Sequence, residues 1–167
     1  MGKLLKVFAA AGALLAALGL GWLLGAGGAG QEVPLELLDE RERAFAERMR
    51  NVVLVGHFTL EGRERRDGIP ERYEISDVTK LDGDRWRFNV RLTYGSVDAT
   101  LPVIVPIVWA GDTPMVSITD FAIPGLGDEF GARVVFYDSR YAGTWDHGEY
   151  GGLMYGTISP LEPDEAE

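Results

Sequence analysis

A strict alternation of apolar and polar side chains runs through residues 85–94 and constrains the fold more than any other feature of the chain. One set of alternate positions holds only apolar or aromatic residues: Trp86, Phe88, Val90, Leu92 and Tyr94. Every residue between them is polar. Because alternate side chains of a strand point to opposite faces of a sheet, this segment predicts a half-buried β-strand.

A hairpin follows this strand. Gly95-Ser96 fits the two-residue loop of a β-hairpin. Such a loop pairs Tyr94 with Val97 and, further along, Phe88 with Val103. The apolar faces of the two strands then coincide, so the register is well specified.

Two prolines interrupt the second strand of this hairpin. In the predicted register, Pro102 and Pro106 lack N–H donors only on the side that faces away from the hairpin partner. Proline in sheets is largely confined to edges and bulges, so residues 97–109 are predicted to form an edge or bulged strand. This favours an open barrel or sandwich over a smoothly closed barrel. An exposed edge can also accept a strand from a protein partner.

Shorter segments with turn signals between them extend the β region over residues 51–159. In the segment 72–81, Ile75 and Val78 can share a face only if the strand contains a bulge. Regular short strands of this kind predict an all-β fold, an antiparallel open barrel or sandwich of about eight strands. A lipocalin-like barrel is the alternative.

Two charged segments flank the β region. Residues 31–50 predict a short amphipathic helix, whose apolar stripe includes Leu35, Leu38, Phe45 and Met49. Acidic residues lead and arginines trail in this helix, which suits the helix dipole. Residues 160–167 are acidic and contain two prolines, so this tail is predicted to be disordered.

The first 30 residues have the pattern of a signal peptide or a signal anchor with a Gly-rich tether. Lys3 and Lys6 precede an apolar helix predicted over residues 7–24, and residues 25–30 are all small. The apolar run exceeds the 7–15 residues typical of a cleaved signal, which slightly favours a membrane anchor over a secreted or periplasmic protein. In either case the sequence predicts a cell-envelope location outside the cytoplasm.

Composition excludes several classes of function. The formal net charge of −10 argues against nucleic-acid binding, which requires a basic face. The absence of cysteine excludes disulfides and thiolate metal sites. No phosphate-binding loop or nucleophile elbow occurs, and no cofactor, metal site or catalytic residue is predicted. An enzyme of unknown class would have to use one of the two histidines, His57 or His147.

Aromatic residues are spread over most of the predicted strands. Most belong to a core, but in a barrel wide enough to enclose a ligand the same residues line an apolar pocket. The candidate binding residues, in such a pocket or at the edge strand, are Trp86, Phe88, Ile104, Trp109 and Trp145.

Several short motifs lie between residues 52 and 159. They are Val55-Gly56-His57-Phe58, Glu71-Arg72-Tyr73-Glu74-Ile75, Trp109-Ala110-Gly111-Asp112-Thr113-Pro114, Ile123-Pro124-Gly125-Leu126-Gly127, Tyr141-Ala142-Gly143-Thr144-Trp145 and Gly151-Gly152-Leu153-Met154-Tyr155-Gly156-Thr157-Ile158. Together they resemble a family of small, uncharacterised exported bacterial β-proteins that has no assigned activity. The resemblance implies an exported β-protein and no catalytic residue.

Three functions are compatible with these features. The first is a non-catalytic envelope module, structural or partner-binding, that uses the edge at residues 97–109. The second is a lipocalin-like carrier of an apolar small molecule. The third is an enzyme that uses His57 or His147.

Overall fold

The computed structural model describes residues 30–62, 68–94, 97–123 and 127–162. The predicted apolar helix at 7–24, the hairpin loop at 95–96 and most of the acidic tail lie outside the described residues. Within the described ranges, no helix has the length and apolarity that a membrane crossing requires.

A short 3-10 helix and one α-helix precede eight β-strands. The elements are the 3-10 helix Leu35–Leu37, α1 (Glu40–Arg48), β1 (Val52–Phe58), β2 (Ile69–Lys80), β3 (Arg85–Tyr94), β4 (Val97–Ala110), β5 (Thr113–Ile123), β6 (Gly127–Tyr137), β7 (Arg140–His147) and β8 (Tyr150–Pro160). Each strand pairs antiparallel with the next, and β8 pairs with β1 to close a barrel. The prediction of an antiparallel all-β fold of about eight strands is confirmed.

The predicted hairpin register is confirmed along the whole of β3. Tyr94 pairs with Val97 and Phe88 pairs with Val103. The predicted bulge in β2 is also present, because the register against β3 shifts between Ile75 and Asp77.

The two prolines of β4 limit its pairing with β5. Among the described residues, the β4–β5 ladder has four pairs, from Ile107–Val116 to Ala110–Thr113. It therefore begins directly after Pro106, and the preceding part of β4 pairs with β3 alone. The barrel is closed and not open. The residues of β4 beyond Pro106 have backbone N–H groups that can bond to β5, and their pairing completes the closed sheet.

Helix α1 closes one end of the barrel. Asp39 caps it, since its side chain accepts from the N–H of Glu42 at 2.9 Å while the Glu42 carboxylate accepts from the N–H of Asp39. Phe45 of α1 is 1% exposed and lies among inward-facing rings. These rings are Trp86, Phe88, Trp109 and Phe136, with centroid distances of 5.3–6.2 Å. The predicted apolar stripe thus packs into the end of the barrel.

Two polar contacts attach α1 to the strand ends. Lys80, at the end of β2, forms a half-buried ion pair with Glu42. Arg41 donates to the carbonyl of Gly111 in the β4–β5 turn and lies over the ring of Trp109 at 4.9 Å. We call this the helix end of the barrel, and the opposite end, where the β1–β2, β3–β4, β5–β6 and β7–β8 connections lie, the mouth.

Candidate ligand site inside the barrel

The interior of the barrel differs between the helix end and the middle. At the helix end, Met49, Trp86, Val78 and Ile107 are 0–1% exposed, so this layer is filled. Alongside buried residues such as Leu54, Val90 and Val134, the middle layer contains half-buried inward-facing side chains. They are Tyr73, Val103, Ile118, Ala132 and Met154. These half-buried side chains pack against the buried core cluster, and we call the part of the barrel interior between the filled layer and the mouth the lumen.

The unpaired part of β4 borders this lumen. Val103 of β4 precedes the four-pair ladder and Ile118 of β5 follows it, so both residues lie on the mouth side of the ladder. The lumen therefore adjoins both the mouth and the stretch where β4 and β5 are not bonded.

One row of the barrel wall carries a buried carboxyl group. Glu71 on β2 pairs with Gly56 on β1, Gly56 pairs with Gly156 on β8, and Gly156 pairs with Tyr141 on β7. The two glycines leave room for the side chain of Tyr141 to reach Glu71. A Cβ atom at Gly156 would lie 2.7 Å from Cε1 of Tyr141, and one at Gly56 would collide with its hydroxyl.

Two tyrosine hydroxyls bind the Glu71 carboxyl group. Tyr141 donates to Oε1 at 2.6 Å, and Tyr73 donates to Oε2 at 2.9 Å. Glu71 is 8% exposed, and burial raises its pKa above the ordinary value although both hydroxyls act to lower it. The pKa of Tyr141 is raised as well, by burial first and then by its hydrogen bond to Glu71.

Tyr73 places this group of three at the edge of the lumen. Burial raises the pKa of its hydroxyl well above the ordinary value, yet the residue keeps accessible surface. Tyr73 and Glu71 both lie on the mouth side of Ile75, which belongs to the buried core. The Glu71 carboxyl therefore lies at the wall of the lumen and not in the filled layer around Phe45.

Aromatic side chains line the wall between this group and the mouth. Trp145 is the β7 strand partner of Gly152 and donates from Nε1 to the carbonyl of Thr59 at 3.2 Å. Its ring meets Phe58 edge to face at a centroid distance of 5.9 Å. Like Tyr141, Trp145 is therefore an aromatic residue of β7 whose strand partner on β8 is a glycine and whose side chain reaches the neighbourhood of β1.

The two histidines lie on opposite faces of the wall. His147 faces inward near the mouth and stacks on Phe130 at 3.8 Å, and its buried Nδ1 has no hydrogen-bond partner among the described residues. His57 faces outward beside Tyr155. No group of three or more potential metal ligands occurs in the described ranges. The structure does not bring the two histidines together.

The candidate binding residues fall into three places. Trp86, Phe88 and Trp109 surround Phe45 at the helix end, where they form part of the core. Trp145 lies on the lumen wall, and Ile104 is half-buried on the outer face of β4. That these residues bind a ligand or a partner stays a prediction.

Sequence reasoning missed the Glu71 group. Glu71 and Tyr73 occupy alternate positions of β2 that continue inward to Ile75. That alternation is the signal that could have found them, because it places a carboxyl on the same face as core residues.

The fold and the site together define an eight-stranded antiparallel barrel that is closed at one end by a helix and has a polar group in its lumen. A scan against models of protein families finds no match, and a search of curated proteins also finds none.

Proposed function

We propose that this protein is a non-catalytic carrier that holds an apolar small molecule inside its barrel. The observation that carries the proposal is the contrast between the filled layer at the helix end and the partly exposed, inward-facing side chains between that layer and the mouth. Val103, Ile118, Ala132 and Met154 offer apolar surface to a ligand in that region. Burying such surface contributes about 25 cal/mol per Å², which favours binding of an apolar molecule.

Nile red, a neutral dye that fluoresces in apolar surroundings, tests this proposal. We expect the full chain to bind one dye molecule saturably. Ala132→Trp adds bulk to the lumen and should weaken binding at least tenfold. Ala142→Trp makes the same change on the exposed outer face of β7 and should leave binding unchanged.

Circular dichroism and thermal unfolding show whether both variants fold. Binding that is absent in the wild type, or that both variants weaken equally, contradicts a carrier that uses the lumen.

The unpaired part of β4 favours a second candidate, a module that binds a partner strand. Residues 97–106 pair with β3 and have no ladder to β5 in the described part of the chain. Ile104→Lys should abolish partner capture if this edge is the interface, whereas Val108→Lys, within the β4–β5 ladder, should retain it. Equal capture by both variants contradicts this candidate.

We also propose that residues 1–30 place the barrel outside the cytoplasm, because Lys3 and Lys6 precede the apolar run at 7–24. Gly30 lies against Asp82 and Arg85 in the β2–β3 turn, at the helix end. A retained anchor would therefore hold the helix end toward the membrane and the mouth away from it. Mass analysis of the native N-terminus distinguishes a retained anchor from a cleaved signal.

A further inference from the structure

The lumen contains an unusual distribution of charge. Among the inward-facing residues whose side chains the structure describes, Glu71 is the one with a carboxyl group, and Lys80 is the one lysine or arginine. Lys80 forms an ion pair with Glu42 of α1 at the helix end. No lysine or arginine with a described side chain therefore balances Glu71 inside the barrel, although the electrostatic influence of His57, on the outer face, acts to lower the pKa of Glu71.

The hydrogen bonds of Glu71 leave it able to accept more donors. A carboxylate has about four acceptor positions. Each oxygen of Glu71 accepts one hydrogen bond from a described residue, Tyr141 on Oε1 and Tyr73 on Oε2. Because both hydroxyl protons point to Glu71, the group as a whole presents acceptors to the lumen. A ligand that fits it must bring donors.

The charge of such a ligand follows from the same geometry. A carboxylate ligand would place a second negative charge beside Glu71 without a cation to balance it, which is unfavourable in a low-dielectric interior. An ammonium group brings a positive charge and up to three N–H donors. It supplies the opposite charge that a buried carboxylate requires.

The aromatic wall suits the same group. Phe58 lies two residues from Gly56, the strand partner of Glu71, and is therefore one inward position nearer the mouth. The ring of Trp145 packs on Phe58 edge to face. Aromatic faces attract cations and also cover hydrocarbon, so both ends of an amphipathic amine find favourable contacts along this wall.

We propose that the lumen binds an amphipathic amine, whose ammonium group pairs with Glu71 and whose apolar body fills the half-buried middle layer. This inference rests on the proposed carrier function and adds the chemical class of the ligand.

Three ten-carbon probes that differ only in their head group test the inference: decylamine, decanol and decanoate. Isothermal titration calorimetry of the full chain at neutral pH should give at least tenfold tighter binding of decylamine than of decanol, and the weakest binding for decanoate. Glu71→Gln should weaken decylamine at least tenfold and change decanol less than twofold.

Glu74→Gln is the matched control. Glu74 lies on the same strand but faces outward, where it pairs with Arg72, and its substitution changes the net charge of the protein by the same amount. Decylamine should bind this variant as it binds the wild type. A loss equal to that of Glu71→Gln would mean that overall charge, and not the lumen carboxyl, attracts the amine.

The outcomes separate this inference from the carrier function. Equal affinities for decylamine and decanol, or unchanged decylamine binding to Glu71→Gln, overturn the inference and leave the carrier intact. Failure of all three probes and of Nile red overturns the carrier itself. The head-group series uses the wild-type protein, so equal affinities for decylamine and decanol would overturn the inference even if Glu71→Gln does not fold.

Discussion

Removal of the Phe45 ring should be among the most destabilising single changes in this protein. The side chain is 1% exposed, and its ring lies 5.3 Å from Trp86, 5.9 Å from Trp109, 6.0 Å from Phe136 and 6.2 Å from Phe88. Truncating such a buried phenylalanine to alanine typically costs about 3–5 kcal/mol. Since small domains are stable by about 5–15 kcal/mol, Phe45→Ala should remove a large share of the total.

Urea unfolding measures this loss. With a denaturant dependence of about 2 kcal/mol per M, a loss of about 4 kcal/mol lowers the unfolding midpoint by about 2 M. Tyr137→Ala is the control, because Tyr137 is an aromatic residue that is 61% exposed on the outer face of β6. It should cost less than about 1 kcal/mol. An equally small loss for Phe45→Ala would refute the placement of α1 in the end of the barrel.

Three further changes test the contacts that shape the interior. Lys80→Met leaves Glu42 unpaired in a half-buried site and should cost about 1–3 kcal/mol in urea unfolding, and a second change, Glu42→Leu, should recover part of it; an additive double variant would argue against the pair. Gly56→Ala forces a Cβ against the carbonyl oxygen of Tyr155 and the hydroxyl of Tyr141 and should cost about 1–3 kcal/mol, so a loss below about 0.5 kcal/mol contradicts these close approaches. The raised pKa of Glu71 means that the folded state holds its proton more tightly than the unfolded state. As pH rises above the ordinary value of 4.5, wild-type stability should therefore fall relative to Glu71→Gln. Unfolding free energies of both proteins between pH 4 and pH 8 measure this effect. If the wild-type value minus the Glu71→Gln value stays constant or rises with pH, the burial of the carboxyl is contradicted.

The β-strands were predictable because their side chains obey one simple rule. The alternation of residues 85–94 specified the β3–β4 register pair for pair, since a slip by one residue would have turned every ring outward. The spacing of Ile75 and Val78 required the bulge that β2 contains. The prolines of β4 correctly indicated that residues up to Pro106 do not pair with β5. The four residues that follow Pro106 do pair with β5, and they are enough to close the barrel.

The interior arrangement was not predictable to the same degree. The apolar stripe of α1 has the same pattern whether the helix packs on the outside of a barrel or in its end, so Phe45 gave no sign of its depth. Glu71 was overlooked because a carboxyl at an inward position violates the rule that identifies strands. Sites where a sequence departs from such rules are often functional, which is consistent with a ligand site at Glu71.

The most direct test of a carrier lumen is a nuclear magnetic resonance titration of the isotope-labelled protein with decanol. The account predicts saturable shifts in the signals of inward-facing Val103, Ile118 and Ala132. It predicts no shifts for Val135 and Leu153, which are exposed on the outer face. Shifts confined to the outer residues, or no saturable shift at any decanol concentration, would contradict it.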